Sequence, residues 1–486
     1  MNPAPAPTHK AFACGDFPFW VPAVLVKELR QGLHTRGFVA ILLLFHTVMV
    51  VAMTTTVVSL PGATPAARAA AAATSNTFFW TLLAVMLLFV LPARGLVGLR
   101  TEVDSRTLDL LVLTHLSAWR IVLGKWASLV AQGCLLLIAM LPYGFVRYFA
   151  GSVNLADDAV RCVVLLAGCG LLTAAALWCS GLPRMLAIPV VLLVGYGQGM
   201  SAFRSATGAA AYAGPMSFAS DSPVLAVLDG VLLLLFFLVG AVRRVAPPAE
   251  NYSVFTRLLS VPAFVPALML AHAGKIELGR YQFGFAVSML LAICVIEISS
   301  PRFPMTVHWR AFRRRKMVGR VTGLLFLPGW QSALVFALLA TLIGLALVWW
   351  GGLYGLSERA WFARMAAIVA GGLAFPAVFQ SYLAKPGSAT VVYGVTIVAL
   401  CVVAVVTSVF SNAPLMPHWW LELASLLPIS GFWMEFTRGT PGPGIQLGQF
   451  AVTVVVLLLA CWQTLPYWRE VKALDAKERV RPGRSG

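Results

Sequence analysis

The chain has 486 residues, of which 59% are hydrophobic and 11% are charged, and its mean hydropathy is +0.85. This composition excludes an ordinary soluble domain and is typical of a polytopic membrane protein. The apolar runs are solid rather than alternating, which predicts membrane-spanning helices and excludes a transmembrane β-barrel.

Windows of about 20 apolar residues, the helix length that crosses a hydrocarbon core of about 30 Å, predict about twelve transmembrane helices. They cover residues 37–60, 77–98, 122–146, 158–180, 185–202, 223–242, 258–274, 282–299, 322–350, 364–384, 388–411 and 446–466. The seventh is short and contains Pro262 and Pro266. Without it, the basic cluster at 310–316 and the basic C-terminal tail would lie outside the cell, against the positive-inside rule. We therefore expect an all-α polytopic protein of the cell (inner) membrane, with cytoplasmic N- and C-termini.

The net charge of +18 does not predict a nucleic-acid partner. The basic residues flank the apolar runs instead of gathering on one soluble face, which favours membrane topology and contact with anionic lipids. The cluster at 310–316 could also contact an acidic partner surface. The eight cysteines lie mostly within apolar runs and form no CxxC pair, so we expect neither a disulfide nor a metal site.

Residues 1–36 are predicted to be a cytoplasmic tail that ends in an amphipathic helix. Its apolar residues recur at helical spacing (Val21, Val24, Leu25, Leu29 and Leu33), and polar residues take the opposite face (Lys27, Arg30, Gln31 and His34). Such a helix lies in the membrane interface. Two interpretations remain open: a generic surface helix, or an elbow that braces a transport core and carries Lys27, Glu28 and Arg30. After the first span, the Ala-rich stretch at 61–76 is predicted to be an external loop.

A charged, leucine-rich segment, TEVDSRTLDLLVLTHLSAWRIVLGK from Thr101 onward, separates the second and third predicted spans. It is too short and too charged to span the membrane, yet it is apolar enough to need a packing surface in addition to water. The pattern predicts a short helix, a tight turn and then the third span, with the Ser117 hydroxyl capping that span. The short helix either packs on the cytoplasmic face of this protein or docks on a partner.

The elbow sequence AVLVKELRQGLHTRGF and this segment together resemble the permease subunit of type-2 ATP-binding-cassette (ABC) transporters, over roughly residues 20–150. In that family an acidic segment, a Thr-Leu pair, a leucine run, a turn and a Gly-Lys pair lead into the third span. The matching residues here are Glu102, Asp104, Thr107, Leu108, Asp109, Leu111, Thr114, Ser117, Gly124 and Lys125. Arg106 and His115 stand where the family usually has Gly and Pro. The resemblance implies that residues 102–117 form a coupling helix, which docks in a groove of the ATPase subunit.

The chain itself carries no P-loop, because Gly124-Lys125 is followed by Trp126 and Trp119 stands where the first glycine belongs. No HExxH, Cys/His cluster or GxSxG motif is present either. We therefore expect a transport subunit rather than an enzyme, without catalytic residues, a metal site or a bound cofactor. The resemblance implies ATP and magnesium on a partner ATPase subunit, with a second permease copy or a related permease as a further partner beside membrane lipids.

Ionisable residues inside spans are expensive and often functional. Asp229 in the sixth span is the candidate polar residue of a transport pathway, whereas His46 is interpreted as a satisfied core histidine. Glu297 is expected to pair with Arg302.

The domains follow from these elements: residues 37–244 form a six-helix permease core, and residues 245–486 form an additional membrane domain of about six helices with a basic cytoplasmic tail. The second half has no second Thr-Leu motif, so we do not expect a fused tandem of two permeases. The resemblance favours an ATP-driven exporter. An ion-gradient-driven secondary transporter and a non-transporting membrane scaffold or membrane enzyme remain alternatives.

Overall fold

The computed structural model is helical throughout the part of the chain that it describes, and that part contains no β-strand. The described residues are 23–59, 64–96, 117–149, 154–180, 223–247, 250–272, 316–350 and 443–480, together with isolated helical residues between 279 and 312. The predicted spans at 185–202, 364–384 and 388–411 lie outside these residues, and so does the predicted coupling helix up to residue 116.

The chain begins with a short amphipathic helix and two long apolar ones. They are α1 (Ala23–His34), α2 (Arg36–Ser59) and α3 (Pro65–Val85), which continues through a π-helical turn (Met86–Val90) to Leu96. In α1 the four polar residues predicted for one face are exposed, while Leu25, Leu29 and Leu33 are half-buried. The predicted amphipathic helix and the first span are therefore confirmed as helices.

The prediction of an external loop at 61–76 is wrong, because α3 begins at Pro65 and runs through the Ala-rich stretch. Thr64 caps the helix by accepting a hydrogen bond from the Ala67 amide at 3.3 Å. Proline is well suited to the first turn, where its missing N–H has no partner to lose. Alanine has the highest helix propensity of all residues, so this stretch favours a helix.

Three more helices of the predicted core are described: α4 (Ala118–Phe149), α5 (Leu155–Cys179) and α6 (Pro223–Val245). The cap predicted for α4 is present, since the Arg120 amide donates to Ser117 Oγ at 3.4 Å. Asn154 caps α5 in the same way. Helices α4, α5 and α6 pack against one another, and α3 with its π-helical turn packs against α4 and α5.

The seventh predicted span is helical, but it begins earlier than expected and is interrupted. It consists of α7 (Ser253–Ser260) and α8 (Phe264–His272), which flank a turn containing Pro262. Proline cannot donate the backbone hydrogen bond that a continuous helix requires at that position. The apolar unit Ser253–Leu270 is nevertheless long enough to cross a membrane.

The ninth predicted span, 322–350, is not one helix. An amphipathic helix α9 (Lys316–Phe326) ends before a break at 327–329, and α10 (Trp330–Trp350) follows. Gly329 has φ = 143°, which only glycine adopts readily. The last helix, α11 (Pro443–Val480), contains the predicted span 446–466 and continues helically through most of the basic tail.

Seven helices in the described ranges are long and apolar enough to cross a membrane, which indicates a multi-pass membrane protein. They are Arg36–Thr55, Pro65–Leu96, Ala118–Phe149, Leu155–Cys179, Ser253–Leu270, Trp330–Leu347 and Leu447–Ala476. Large apolar side chains such as Leu43, Val58 and Trp462 are exposed on their outer faces. In a bilayer these faces contact lipid, which is as apolar as they are.

Candidate functional site

The predicted coupling helix connects α3, which ends at Leu96, to α4, which begins at Ala118. Six of its predicted docking residues lie outside the described part of the chain: Glu102, Asp104, Thr107, Leu108, Asp109 and Leu111. The seventh, Ser117, is exposed and caps α4. The structure therefore describes both helix ends from which the segment 97–116 emerges, and what holds those two ends in place.

An ion pair holds the beginning of α4 against α1. Lys125 Nζ lies 3.2 Å from Glu28 Oε2, and the Lys125 and Glu28 side chains are only 7% and 17% exposed. Helix α1 packs along α4. Because the pair is mostly shielded from water, its attraction is stronger than that of a surface pair. Lys125 belongs to the predicted Gly-Lys pair, so this residue of the motif contacts the elbow helix.

Arg94 holds the end of α3 against the same helix. Its guanidinium donates to the Gly32 carbonyl at 3.1 Å and to Thr35 Oγ1 at 3.0 Å, both at the C-terminal end of α1. A third hydrogen bond, of 2.6 Å, runs to Oε1 of the buried Gln132 on α4. The guanidinium also lies over the Phe38 ring, 4.9 Å from its centroid. One arginine thus connects α1, α2, α3 and α4.

Helices α1 and α4 approach each other closely at Gly32. A Cβ atom at this position would collide with the side-chain amide of Gln132. We call the six residues of these contacts the elbow network: Glu28, Gly32, Thr35, Arg94, Lys125 and Gln132. The network ties α1 to α4 and to the end of α3, so the described helix ends on either side of residues 97–116 are both anchored to the same short helix.

The sequence predicted only part of this network. Glu28 was expected on the elbow helix and is found in the network, whereas Lys27 and Arg30 lie on the exposed face of α1. Arg94 and Gln132 were not predicted as site residues. The available signal was Arg94 itself, a charged residue within the last turn of an apolar helix.

The opposite end of α4 carries a second polar contact. Arg147, 2% exposed, lies 3.1 Å from Asp158 on α5, donates to Asn76 Oδ1 on α3, and stacks 4.2 Å from the Phe79 ring centroid. Twenty-two residues separate Lys125 from Arg147, which is about 33 Å of helix. That length matches the hydrocarbon core, so α4 is held at both ends by charged contacts one membrane thickness apart.

The predicted partner of Glu297, Arg302, lies outside the described residues. Glu297, fully buried, pairs with Arg243 at 2.8 Å and Arg257 at 3.4 Å. Its Oε2 atom also accepts the Gly329 amide at 2.8 Å. Arg243 and Arg257 lie 54 and 40 residues from Glu297 in sequence and meet it only through tertiary packing.

Arg257 connects this cluster to the break between α9 and α10. Its Nη2 atom donates to the Leu327 carbonyl at 2.9 Å and to Ser332 Oγ at 3.1 Å. The carbonyl groups freed where the helix is broken are thereby satisfied. Tyr467 of α11 is buried beside Leu327 in the same region. Five parts of the chain therefore meet at one level: the end of α6, the start of α7, Glu297, the start of α10 and the middle of α11.

The third polar position is Asp229 in α6, which is 6% exposed. It accepts a hydrogen bond of 2.6 Å from Gln282 Nε2. The predicted core histidine, His46, is satisfied by the Leu42 carbonyl at 2.9 Å and packs edge-on against Tyr143. Within the described ranges, no group of three or more His, Cys, Asp or Glu residues could hold a metal ion.

Comparisons of the chain with protein-family models, curated proteins and solved structures find no match. The functional interpretation therefore depends on the residues and contacts described above.

Proposed function

We propose that this chain is the transmembrane permease subunit of an ATP-driven ABC exporter, whose separate ATPase subunit docks on residues 102–117. The observation that carries the proposal is the elbow network. A segment that receives force from a partner needs both ends fixed to rigid elements, and here α3 and α4 are tied to the same amphipathic helix by Arg94 and by the Glu28–Lys125 pair. A passive surface loop would not require that arrangement.

The convergence around Glu297 supports the proposed topology of twelve spans with both termini cytoplasmic. If α6 ends in the cytoplasm, then α7 and α8 cross outward and the predicted eighth span, 282–299, which contains Glu297, crosses back. Four further crossings return α11 to the cytoplasm at Tyr467. This order places Arg243, Arg257, Glu297, Gly329 and Tyr467 on one side, and they are found together. Arg94 and Lys125 lie on that same side in the proposed order.

The remaining parts of the proposal follow from the resemblance of residues 20–150. The chain pairs with a second copy or with a related permease, and the pathway between them opens and closes as the two ATPase subunits approach and separate. ATP and magnesium are bound by the ATPase subunits. The direction is export, because nothing in the resemblance corresponds to a receptor for a substrate-binding protein. Residues 37–244 form the transport core, in the inner membrane, and residues 245–486 an additional membrane domain.

The test is the double variant Leu108→Asp and Leu111→Asp, assayed with the ATPase subunit in proteoliposomes. Two charges on the apolar face of the proposed coupling helix should abolish stimulation of ATP hydrolysis while membrane insertion stays normal. The matched control is Ala473→Asp with Ala476→Asp, which adds the same charge at exposed positions near the end of α11. Unchanged stimulation in the Leu108 and Leu111 variant would reject the proposal.

The buried carboxyl of Asp229 favours a second candidate, an ion-gradient-driven transporter. Such a protein would move its substrate when an ion gradient is imposed without nucleotide. Asp229→Asn would abolish that movement, whereas ATP-driven transport by a permease would continue in the absence of any gradient.

A further inference from the structure

Asp229 and Gln282 form a polar contact within apolar stretches of the chain. Asp229 lies six residues after the first residue of α6, and Gln282 is one of the isolated helical residues described between 279 and 312. Their side chains are 94% and 98% buried, since only 6% and 2% of their surfaces are exposed. The contact joins the predicted core, 37–244, to the predicted additional domain, 245–486. Breaking it would change how those two parts meet.

The hydrogen bonding of this pair is incomplete in a specific way. Gln282 Nε2 donates to Asp229 Oδ2 at 2.6 Å, but Asp229 Oδ1 and Gln282 Oε1 are buried and accept no hydrogen bond. Both orphan atoms are acceptors. An unsatisfied buried polar atom costs about 1–3 kcal/mol, and an ionised carboxylate without a cation in an apolar setting costs far more. The pair therefore lacks a donor.

No cation of the described chain supplies that donor, because none of the described ion pairs includes Asp229. Arg243 and Arg244 stand at the far end of α6, 14 and 15 residues away, which is about 21 Å. The other charged residues with a described contact on the helices packed against α6 are held elsewhere: Lys125 by Glu28, Arg147 by Asp158, Arg161 over the Trp80 ring, and Arg257 by Glu297.

We propose that the Asp229–Gln282 contact is a proton-binding site, occupied when the two helices are together. A single proton on Oδ1 turns the carboxylate into a carboxylic acid whose hydroxyl donates to Gln282 Oε1. The amide N–H already donates to the other oxygen, so acid and amide then form two complementary hydrogen bonds. One proton satisfies both orphan atoms and removes the buried charge. No other ligand needs to enter the contact.

The consequence is a contact between the two membrane parts that depends on a bound proton. Loss of the proton leaves a carboxylate with one neutral donor among apolar side chains, such as the neighbouring buried Phe283. That state is unfavourable until the helices separate far enough for water to reach the carboxylate. The site thus favours the closed contact when protonated and the open contact when deprotonated, whether or not an ATPase drives transport.

The variant Asp229→Asn tests the protonation state directly, because asparagine is the neutral isostere of a protonated aspartate. Its amide can donate to Gln282 Oε1 and accept from Nε2, so we expect the full chain in nanodiscs to unfold thermally at the wild-type midpoint. Asp229→Leu keeps the branching pattern of the side chain with a larger, apolar group and loses both hydrogen bonds, so its midpoint should fall. A D229N protein that fails to fold, or that is no more stable than D229L, would overturn the proposal.

Infrared spectroscopy at pH 7.5 provides the second measurement, since protonated carboxyl groups have a carbonyl band separate from that of carboxylates. We expect a protonated-carboxyl band in the wild type that is lost in D229N and shifted in Q282L, which removes the amide. Asp157→Asn, which alters an exposed carboxylate at the start of α5, should leave the band unchanged. A wild-type spectrum without the band would show that Asp229 is ionised, and a band that persists in D229N would show that it comes from another carboxyl group; either result would contradict the proposal.

Discussion

Replacing Glu28 by Gln removes the acidic partner of Lys125 from the contact between α1 and α4. The side chains keep almost the same size, so the change concerns charge rather than packing. The ammonium group of Lys125 lies 3.2 Å from the carboxylate and its side chain is 7% exposed, so water cannot replace the lost partner fully. The variant therefore probes the elbow network through one ion pair.

The magnitude follows from the burial of the two partners. Removing one member of a buried ion pair costs about 3–5 kcal/mol, whereas exposed pairs contribute about 0–1 kcal/mol. Glu28 is 17% exposed, so this pair is closer to the buried case than to the exposed one, but it is not fully buried. We therefore expect Glu28→Gln to lower the free energy of unfolding by about 3 kcal/mol.

The assay is a reversible denaturant titration of the full chain in mixed micelles, read together with stimulation of the ATPase subunit. Lys27→Gln is the control, because it changes one charge on the exposed face of the same helix and should be neutral. The charge-swapped double variant Glu28→Lys with Lys125→Glu should recover part of the loss. If Glu28→Gln behaved like Lys27→Gln, or if the swap were no more stable than either single change, the elbow network would not be what anchors α4.

The remaining predictions concern other contacts of the described helices. Gly32→Ala should separate α1 from α4, because the new methyl group meets the Gln132 amide; a cysteine pair engineered across the two helices should then cross-link more slowly than in the parent. Gly329→Ala should destabilise the chain by about 1–3 kcal/mol, because φ = 143° is strained for alanine; an unchanged denaturation midpoint would contradict the described break. Glu297→Gln should lower the yield of folded protein severalfold, because it leaves Arg243 and Arg257 without their shared buried carboxylate. Size-exclusion chromatography measures that yield.

The helices with strong local signals could be predicted from the sequence. Helix α1 has a clear apolar face, and the predicted first, third and fourth spans match α2, α4 and α5, with at most one residue beyond the helix end. The Ser117 cap was also predictable, because a serine before an apolar helix has a defined role. These features depend on residues that are close in sequence.

Two errors came from averaging hydropathy along the chain. The Ala-rich stretch before Asn76 was predicted as a loop because alanine is only weakly hydrophobic, although its helix propensity is high. The break at Pro328 and Gly329 was missed because the apolar residues on both sides outweighed it in a window of about 20 residues. The alanine run and the Pro-Gly pair are both visible in the sequence. They indicate backbone conformation, which a hydropathy average does not record.

The polar contacts could not be predicted in the same way, because their partners are distant in sequence. Arg94 meets Gly32 across 62 residues, and Glu297 meets Arg243 across 54. A single chain gives no information about such pairings beyond the fact that a buried charge needs a partner. Glu297 illustrates the limit: a buried carboxylate needs a cation, but the sequence does not indicate that Arg243 and Arg257 supply it.

The central claim is that this chain works by receiving force from a nucleotide-hydrolysing partner through residues 102–117. The most direct measurement is a cross-link from a single cysteine at Leu108 to the ATPase subunit, in native membranes that contain both proteins, with and without ATP. The account predicts a cross-linked pair whose yield changes when ATP is added, and no cross-link from a cysteine at the exposed Ala473 of α11. A cysteine at Leu108 that reacts only within this chain, in every nucleotide state, would contradict it.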